Sequence, residues 1–476
     1  MTKPLLFVLL FAPLLGTAPT AIVCNGGSTT VQIVELTNPP GAPLSIDVGS
    51  DPIAVAITRS NRFACVCNHN DETINVIDLL SVHDASPVLS TLAVGLAPTG
   101  IAVTADDRYA LICNYEADTL SVADLTTLAT SYTVPVGAHP RFVSATPDSA
   151  YACVCNDSDG TLSVVDLSTL SSPEPTVTVI PVGETPSALA ISSDGCHAYV
   201  CTDGGLSIVD LATATSMTVD VGGAPTSIAL TSDGTLAALP IVKSSTLSIV
   251  DLATLSVYAI KVGEGPSAVA FTPNNRYACV CNVVGGTVSF VDMTTIGKGH
   301  PRVFTIPVGE NPLAIALTAD GKYACVCNNG SGTLSVVDMT TLSRRHPQVE
   351  TIAVGPGPVA VALTQPLPQG RGLAPSRPRA FKGRFTKHAK GVFLRTHWKP
   401  SASPNVVGYE IFSSSRYITT VSPKGPLFFK APLLGRPARN RHLTKRRLCR
   451  LASTYRVRAV DGNGLTSPFT VLKVRR

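Results

Sequence analysis

A unit of about 45 residues recurs along most of this chain, and the recurrence constrains the fold more than any other feature of the sequence. The clearest copy, residues 322–339, reads KYACVCNNGSGTLSVVDM. Other copies begin at Ala21, Arg62, Arg108, Ala150, His197, Thr235 and Arg276. A unit of this kind buries its apolar surface against its neighbours, so a repeat architecture is predicted.

Each unit contains four short apolar segments. In the unit that starts at Val308 they are residues 313–318, 323–328, 333–339 and 349–354. They are rich in β-branched residues and too short for helices, which indicates strands. Turn residues such as Asp320 and Gly321 separate them. A four-stranded antiparallel meander of this length predicts a propeller blade, and hence an all-β fold.

A Val-Gly dipeptide between units counts the blades. It occurs at Val48, Val94, Val136, Val182, Val221, Val262, Val308 and Val354. Eight dipeptides enclose seven complete units. Residues 21–48 supply only the second, third and fourth strands of a unit, and residues 358–364 supply only a first strand. We predict that these two segments form one blade, which closes an eight-bladed ring and removes open sheet edges. A seven-bladed ring without the N-terminal segment is the alternative.

The second and third strands resemble the YVTN-type β-propeller repeat, in which Tyr-Val-Thr-Asn precedes a turn and Thr-Val-Ser-Val-Ile-Asp. Cys replaces Thr here, as in the Cys-Val-Cys-Asn of residues 325–328. The resemblance covers residues 21–364 and implies a propeller. Some propellers of this shape are lactonases, or oxidoreductases that hold a metal or quinone at the channel. No position matches their site motifs, so no catalytic residue, metal site or cofactor is predicted.

Two regions of opposite charge follow one another. Residues 366–476 contain 24 Lys and Arg against two acidic residues, whereas residues 1–365 contain 13 Lys and Arg against 30 Asp and Glu. Residues 366–390 are rich in Pro, Gly and Arg, which predicts an extended basic linker.

Residues 391–476 return to strand-like runs. They resemble a fibronectin type III domain through Trp398, Tyr409 and Tyr455, and this resemblance implies a small β-sandwich. The Trp and Tyr side chains are then expected in its core.

The first 21 residues resemble a secretory signal peptide, with Lys3 before an apolar run and small residues at its end. The propeller would then span residues 22–365, and the protein would be periplasmic, surface-associated or secreted. The apolar run is shorter than the ~20 residues of a membrane helix. If the segment is instead a degenerate first strand, a cytoplasmic location is the alternative.

Thirteen cysteines bear on this choice. The Cys-x-Cys pairs are Cys65 and Cys67, Cys153 and Cys155, Cys279 and Cys281, and Cys325 and Cys327. Paired side chains on one strand face lie about 6.5–7 Å apart, too far for a disulfide. No His residues lie between the paired cysteines, and the Cys-x-x-Cys spacing of metal sites is lacking. We therefore predict that the cysteines act as small buried apolar residues rather than as a metal site. Free thiols are unusual in exported proteins, so the cysteines weigh against export.

Two polar positions recur in every well-formed unit. Asp ends the third strand at Asp78, Asp124, Asp166, Asp210, Asp251, Asp292 and Asp338. Asn ends the second strand at Asn25, Asn68, Asn114, Asn156, Asn282 and Asn328. We predict that the Asp carboxylates accept backbone N–H groups of the next turn, rather than bind metal, and that the Asn side chains open Asx-turns.

One face of the predicted disc should be acidic. Antiparallel pairing brings the Val-Gly-x-x-Pro connections and the loops after each Asn to the same face. The acidic residues of these loops are Asp51, Asp71, Glu72, Glu116, Asp118, Asp157, Asp159, Glu184, Asp203, Glu264 and Glu310. His69, His139 and Arg141 lie among them. We interpret this face as the candidate binding surface, with ordinary solvated loops as the alternative.

A basic insertion at residues 435–450 is the second candidate surface. Its bases are Arg436, Arg439, Arg441, Lys445, Arg446, Arg447 and Arg450. They predict binding to anionic polysaccharide or lipid headgroups, with nucleic acid less favoured for an exported protein. Docking on the acidic propeller loops is the competing outcome.

These observations predict a non-enzymatic, exported or surface-associated protein that binds protein or anionic partners. The sequence lacks a nucleophile elbow, a His-Glu-x-x-His motif and a nucleotide-binding loop. The alternatives are a propeller enzyme, either a lactonase-like hydrolase or a metal- or quinone-dependent oxidoreductase, and an intracellular scaffold. The sequence does not indicate an oligomeric state.

Overall fold

The computed structural model describes residues 18–83, 87–297, 301–342 and 347–365, together with the backbone of seven strands between residues 379 and 473. The chain divides into two compact units, Met1–Leu367 and Pro368–Arg476.

The first unit is a ring of four-stranded antiparallel blades. The closing blade comprises β1 (Thr20–Asn25), β2 (Thr30–Glu35), β3 (Leu44–Asp47) and β32 (Pro358–Leu363). The second comprises β4 (Pro52–Ile57), β5 (Phe63–Asn68), β6 (Thr73–Asp78) and β7 (Leu89–Ala93). The third comprises β8 (Pro98–Val103), β9 (Tyr109–Asn114), β10 (Thr119–Asp124) and β11 (Ala129–Pro135). The fourth comprises β12 (Pro140–Ala145), β13 (Tyr151–Asn156), β14 (Thr161–Asp166) and β15 (Val177–Pro181).

Four further blades follow in the same strand order. The fifth comprises β16 (Ala188–Ile191), β17 (His197–Thr202), β18 (Gly205–Asp210) and β19 (Thr215–Val219). The sixth comprises β20 (Ala229–Leu230), β21 (Leu236–Ile241), β22 (Thr246–Asp251) and β23 (Val257–Lys261). The seventh comprises β24 (Pro266–Phe271), β25 (Tyr277–Asn282), β26 (Thr287–Asp292) and β27 (Val303–Pro307). The eighth comprises β28 (Pro312–Leu317), β29 (Tyr323–Asn328), β30 (Thr333–Asp338) and β31 (Val349–Ala353). Short 3-10 helices span Leu167–Thr169, Met293–Thr295 and Met339–Thr341.

The closing blade joins the two ends of the propeller. Strand β1 pairs with β2 on one side and with β32 on the other, where Cys24 lies opposite Ala360. Beyond the strands, Thr20 N donates to Thr364 Oγ1 (2.8 Å) and Thr364 N donates to the Thr20 carbonyl (2.9 Å). Strand β32 also contacts the inner strands β28 and β4. The prediction of eight blades, one of them shared by the two ends of the propeller, is therefore confirmed, and the seven-bladed alternative is wrong.

The core of the propeller lies between the blades, in their second and third strands. These strands are buried on both faces because each blade packs against two others, and Phe290 is the largest fully buried side chain. This burial explains why the second strands are continuously apolar rather than alternating. The outer strands alternate instead: Ile180 of β15 is buried, whereas Val179 is exposed.

Eleven of the cysteines are buried in these strands, and their thiols form no disulfide. Their prediction as small buried residues is confirmed. Burial raises the pKa of the Cys65, Cys153 and Cys325 thiols to about 12. Cys196 is partly exposed, and Cys449 lies outside the described residues.

The predicted role of the repeated Asp is confirmed in all seven positions. Asp124 Oδ1, for example, accepts from Thr126 N (2.8 Å), and Asp338 Oδ1 accepts from Thr340 N (2.9 Å). The same bond, to the backbone N–H two residues on, recurs at Asp78, Asp166, Asp210, Asp251 and Asp292. These carboxylates close the turn that follows each third strand.

The predicted Asx-turns are wrong. The Asn side chains point into the blade, where they are fully buried, and their amides donate across the hairpin. Asn156 Nδ2 contacts Thr161 Oγ1 and Ser163 Oγ, both at 2.9 Å. Related amide bonds occur at Asn25, Asn68, Asn114, Asn282 and Asn328. The Asn side-chain nitrogens therefore find partners outside their own turn, whereas the side-chain oxygens have no partner within the described residues at Asn25, Asn68, Asn156, Asn282 and Asn328.

The described residues of the second unit include seven strands in two sheets. The strands are β33 (Arg379–His388), β34 (Gly391–Lys399), β35 (Val406–Ser413), β36 (Arg416–Val421), β37 (Leu427–Lys430), β38 (Thr454–Asp461) and β39 (Thr470–Lys473). The strand orders are β33-β34-β37 and β36-β35-β38-β39. Strand β33 lies within the segment predicted as a linker. The fibronectin type III resemblance stays a prediction.

Candidate functional site

The two predicted sets of loops meet at the same end of the blades. In the second blade, Pro52 at the start of β4 lies opposite Asn68 at the end of β5, and His69 N donates to the Asp51 carbonyl (3.0 Å). The same pairing recurs around the ring, so the eleven predicted acidic residues lie at this end, which we call the acidic face. Lys243, which sequence reasoning did not single out, follows β21 there.

Four of the eleven carboxylates hold loop backbone in place. The pairs are Asp51 with Gly27 N (2.7 Å), Asp71 with Ser50 N (2.6 Å), Asp118 with His139 N (2.8 Å) and Asp159 with Ala138 N (2.6 Å). Each bond joins a loop to a Val-Gly-x-x-Pro connection or to the preceding blade. These carboxylates therefore have a structural role.

Six other carboxylates are exposed and make no side-chain hydrogen bond or ion pair within the described residues. They belong to Glu72, Glu116, Glu184, Asp203, Glu264 and Glu310. Asp157, the eleventh acidic residue, lies 3.8 Å from Arg141. The six unpaired carboxylates give the acidic face most of its available negative charge.

A polar cluster between the third and fourth blades interrupts this negative charge. The rings of Tyr115 and His139 stack, with centroids 4.5 Å apart and planes 19° apart. His139 Nδ1 lies 2.5 Å from Ser158 Oγ. The His139 backbone is fixed on both sides, since its N–H donates to Asp118 and its carbonyl accepts from Asp157 N (3.0 Å). We call Tyr115, His139, Arg141 and Ser158 the channel-mouth cluster.

Arg141 is the charged member of this cluster. It is the second residue of the inner strand β12, and its side chain is 54% exposed. Its guanidinium lies 3.8 Å from the Asp157 carboxylate and 5.8 Å from the centre of the Phe142 ring. Both contacts are long, so several of the five guanidinium N–H donors remain available to a ligand.

The cluster departs from the repeat at two positions. Arg141 follows the proline that recurs in every unit, and at the same position the other units carry Ile53, Thr99, Ser187, Thr226, Ser267, Leu313 and Val359. Where His139 precedes that proline, the other units carry Asp51, Ala97, Thr185, Ala224, Gly265, Asn311 and Gly357. His139 has φ 52°, and the residues at the same position in two other units are similar, with φ 57° at Asp51 and φ 52° at Ala97. The backbone conformation that orients the His139 imidazole is therefore one that other units of the repeat also adopt.

The other predicted histidine is separate from this cluster. His69 Nδ1 lies 3.3 Å from the Pro98 carbonyl of the third blade, where it bridges two blades. The seven predicted polyanion-binding bases of the insertion lie outside the described residues.

Within the described residues, no group of three His, Cys, Asp or Glu side chains is arranged to hold a metal ion. None of the described helices is long and apolar enough to cross a membrane.

With this geometry in view, comparison with known proteins identifies the propeller. Residues 60–368, more than half of the chain, match the YNCE-like β-propeller family. The chain belongs to that family. This assignment agrees with the predicted YVTN-type repeat. No curated protein sequence matches this YNCE-like propeller.

Solved structures resemble the YNCE-like propeller in fold. Dihydro-heme d1 dehydrogenase NirN matches 73% of this chain and 75% of its own, with 17% identity and a TM-score of 0.60. AztD from Citrobacter koseri matches 73% and 98%, with 14% identity and a TM-score of 0.55. The periplasmic gluconolactonase PpgL of Pseudomonas aeruginosa matches 73% and 99%, with 15% identity and a TM-score of 0.52. At these identities the likeness extends to the fold alone.

Proposed function

We propose that this protein is a non-enzymatic binding protein whose acidic face takes a cationic protein partner. The observation that carries the proposal is a set of six exposed carboxylates, distributed around one end of the ring, that have no partner among the residues that the structure describes. Against them, the described residues at that end of the ring include the three bases Arg141, Lys243 and Lys261. Charges spread over a rigid surface of one sign attract an oppositely charged partner and speed its association.

A short cationic peptide tests this proposal on the full chain. Neutralising Glu264 and Glu310 as Gln should weaken the binding of hexalysine several-fold, because both carboxylates lie on the acidic face. The matched control neutralises Glu174 and Glu350, which are equally exposed but lie elsewhere. Affinity should fall as salt rises, since screening acts over roughly 8–10 Å at physiological ionic strength. Equal losses in both variants would reject a specific role for the acidic face.

A second binding surface is proposed for the basic residues after the propeller. The excess of Lys and Arg over residues 366–476 supports binding to acidic polysaccharide or anionic lipid headgroups at a cell surface. Neutralising residues 445–447 should lower affinity for heparin in the full chain. The control variant neutralises Lys473, Arg475 and Arg476, which removes the same amount of positive charge from residues outside the insertion. The insertion has no special role if both variants lose affinity equally.

A hydrolase is the second candidate function, and one contact favours it. His139 Nδ1 lies close enough to Ser158 Oγ to accept its proton, which is the arrangement of a general base beside a nucleophile. A lactone is the substrate to test, because a gluconolactonase is among the proteins that share the fold. Lactone hydrolysis that is present in the parent and lost in Ser158→Ala would favour the enzyme over the binding protein.

A further inference from the structure

The channel-mouth cluster offers hydrogen-bond donors to an anion in the middle of a negatively charged surface. Arg141 supplies a largely exposed guanidinium, whose fork of N–H groups fits the two oxygens of a carboxylate. Its present partner, Asp157, is a single contact at 3.8 Å, at the outer limit of an ion pair. An exposed pair of this length is weak, so a better-placed carboxylate can replace it.

His139 is held ready for the same ligand. Its backbone is fixed by Asp118 and Asp157, and its ring is held between Tyr115 and Ser158. A side chain that is already ordered loses little conformational entropy when it binds. This makes the imidazole a rigid neighbour for a group bound at Arg141.

One loop brings the two side chains together. Asp157 contacts Arg141 and the adjacent Ser158 contacts His139, so both basic side chains border the turn after β13. Arg141 and His139 are also close in sequence, since only Pro140 separates them. Both basic side chains therefore border the same turn, which is the placement that recognition of one anionic group by both would require.

The surrounding charge restricts what that ligand can be. A small free anion would be repelled by exposed carboxylates such as Glu116 beside Tyr115 and Glu184 on the neighbouring connection. A ligand that carries several positive charges and one carboxylate would satisfy both parts of the surface. We propose that Arg141 and His139 anchor the terminal carboxylate of a cationic peptide segment lying across the acidic face. This inference rests on the proposed function and names the end of the partner that the face recognises.

Two peptides that differ only at their C-terminus test the anchor. The probe is acetylated Gly-Lys-Gly-Lys-Gly-Lys, with either a free carboxylate or an amide, titrated into the full chain at low salt. Coulomb attraction alone favours the amide, since it carries one more net positive charge. The anchor predicts the opposite order, with the free acid binding roughly tenfold more tightly through a charge-assisted contact.

Arg141→Gln should remove the preference for the free acid while leaving the affinity for the amide equal or higher, because one positive charge is lost from the acidic face. Arg141→Lys should retain part of the preference, because a point charge replaces the fork. Arg62→Gln is the matched control on the opposite face: Arg62 is 60% exposed, lies 3.8 Å from Asp78 and sits over the Phe63 ring. This variant should keep the full preference.

The outcomes separate the two proposals. If both peptides bind but the amide is equal or tighter, the carboxylate anchor is rejected and the acidic face stands as a cationic site. If neither peptide binds at low salt, the proposed function fails and the anchor fails with it. A preference that survives Arg141→Gln in a folded variant, as judged by circular dichroism, also overturns the anchor.

Discussion

The side-chain amide of Asn282 occupies the space that a side chain at residue 263 would need. A Cβ atom added to Gly263 would lie 2.5 Å from Asn282 Nδ2, closer than real contacts allow. The same relationship joins Gly49 to Asn68, Gly95 to Asn114, Gly137 to Asn156 and Gly309 to Asn328. In these blades the Gly of the Val-Gly dipeptide is therefore required because a larger residue would collide with the buried Asn side chain.

Gly263→Ala should consequently destabilise the propeller by about 1–3 kcal/mol, because buried backbone and the Asn amide must separate to admit a methyl group. Gly41→Ala is the matched control, since its nearest neighbour would lie at an ordinary 3.5 Å. Urea unfolding of both variants measures the difference. Equal stability of the two variants would show that the Asn side chain yields without cost.

Removal of residues 358–364 should open the ring. Strand β1 would lose β32, and its N–H and C=O groups would form a free sheet edge that pairs with other chains. We expect a substantially lower Tm and self-association on size-exclusion chromatography. A deletion of equal length just after residue 365 is the control. A monomer that melts like the parent would mean that the other blades close without β32.

The acidic residues should divide into two classes on mutation. Asp71→Ala removes the acceptor of Ser50 N and should cost about 1 kcal/mol of folding stability. Glu184→Ala removes an exposed carboxylate without a partner in the described residues, and should leave the Tm unchanged. Thermal melts of both variants distinguish structural carboxylates from those available to a ligand. A destabilised Glu184→Ala would contradict the division.

Stability should fall at alkaline pH because of the buried thiols. Burial raises the pKa of the Cys65, Cys153 and Cys325 thiols to about 12, whereas a thiol of the unfolded chain ionises near ~8.5. Between these values the folded protein keeps protons that the unfolded chain releases. The free energy of unfolding therefore decreases as pH rises through this window, by about 1.4 kcal/mol per pH unit for each such thiol.

Urea unfolding at pH 7.5, 9.5 and 10.5 measures this slope. The triple Ala variant of Cys65, Cys153 and Cys325 is the control. It should be less stable at pH 7.5, because its core has cavities, but should lose less stability on going to pH 10.5. A slope identical to that of the parent would assign the alkaline effect to other groups.

Strand positions, blade number and ring closure could be predicted because the repeat fixes register. The four strands expected after Val308 match β28 to β31 within a residue at each end. The shared blade could be predicted because residues 21–48 lack the first strand of a unit and residues 358–364 supply only that strand. The carboxylate turns were also predictable, since an Asp two residues before a backbone N–H is a local relationship.

The role of the Asn side chains was predicted wrongly because a sequence repeat shows where a residue lies along a strand but not which way its side chain points. A signal was present: Thr and Ser follow Asn156 at a constant five and seven residues, at Thr161 and Ser163, and again in other blades. In an antiparallel hairpin those spacings place the hydroxyls opposite the amide. The stack of Tyr115 on His139 had no such signal, since it joins two blades and depends on how they pack.

The bonds between Thr20 and Thr364 join the first and last strands of the propeller across 344 residues of sequence. A ribosome that has finished seven blades still holds a chain whose first three strands have no inner partner. The last step of folding must therefore wait for nearly the whole propeller to be synthesised. Until then one edge of β1 is unpaired, because its partner on that side, β32, lies at the end of the propeller. A chain that stops before residue 358 keeps this open sheet edge, which can pair with another chain.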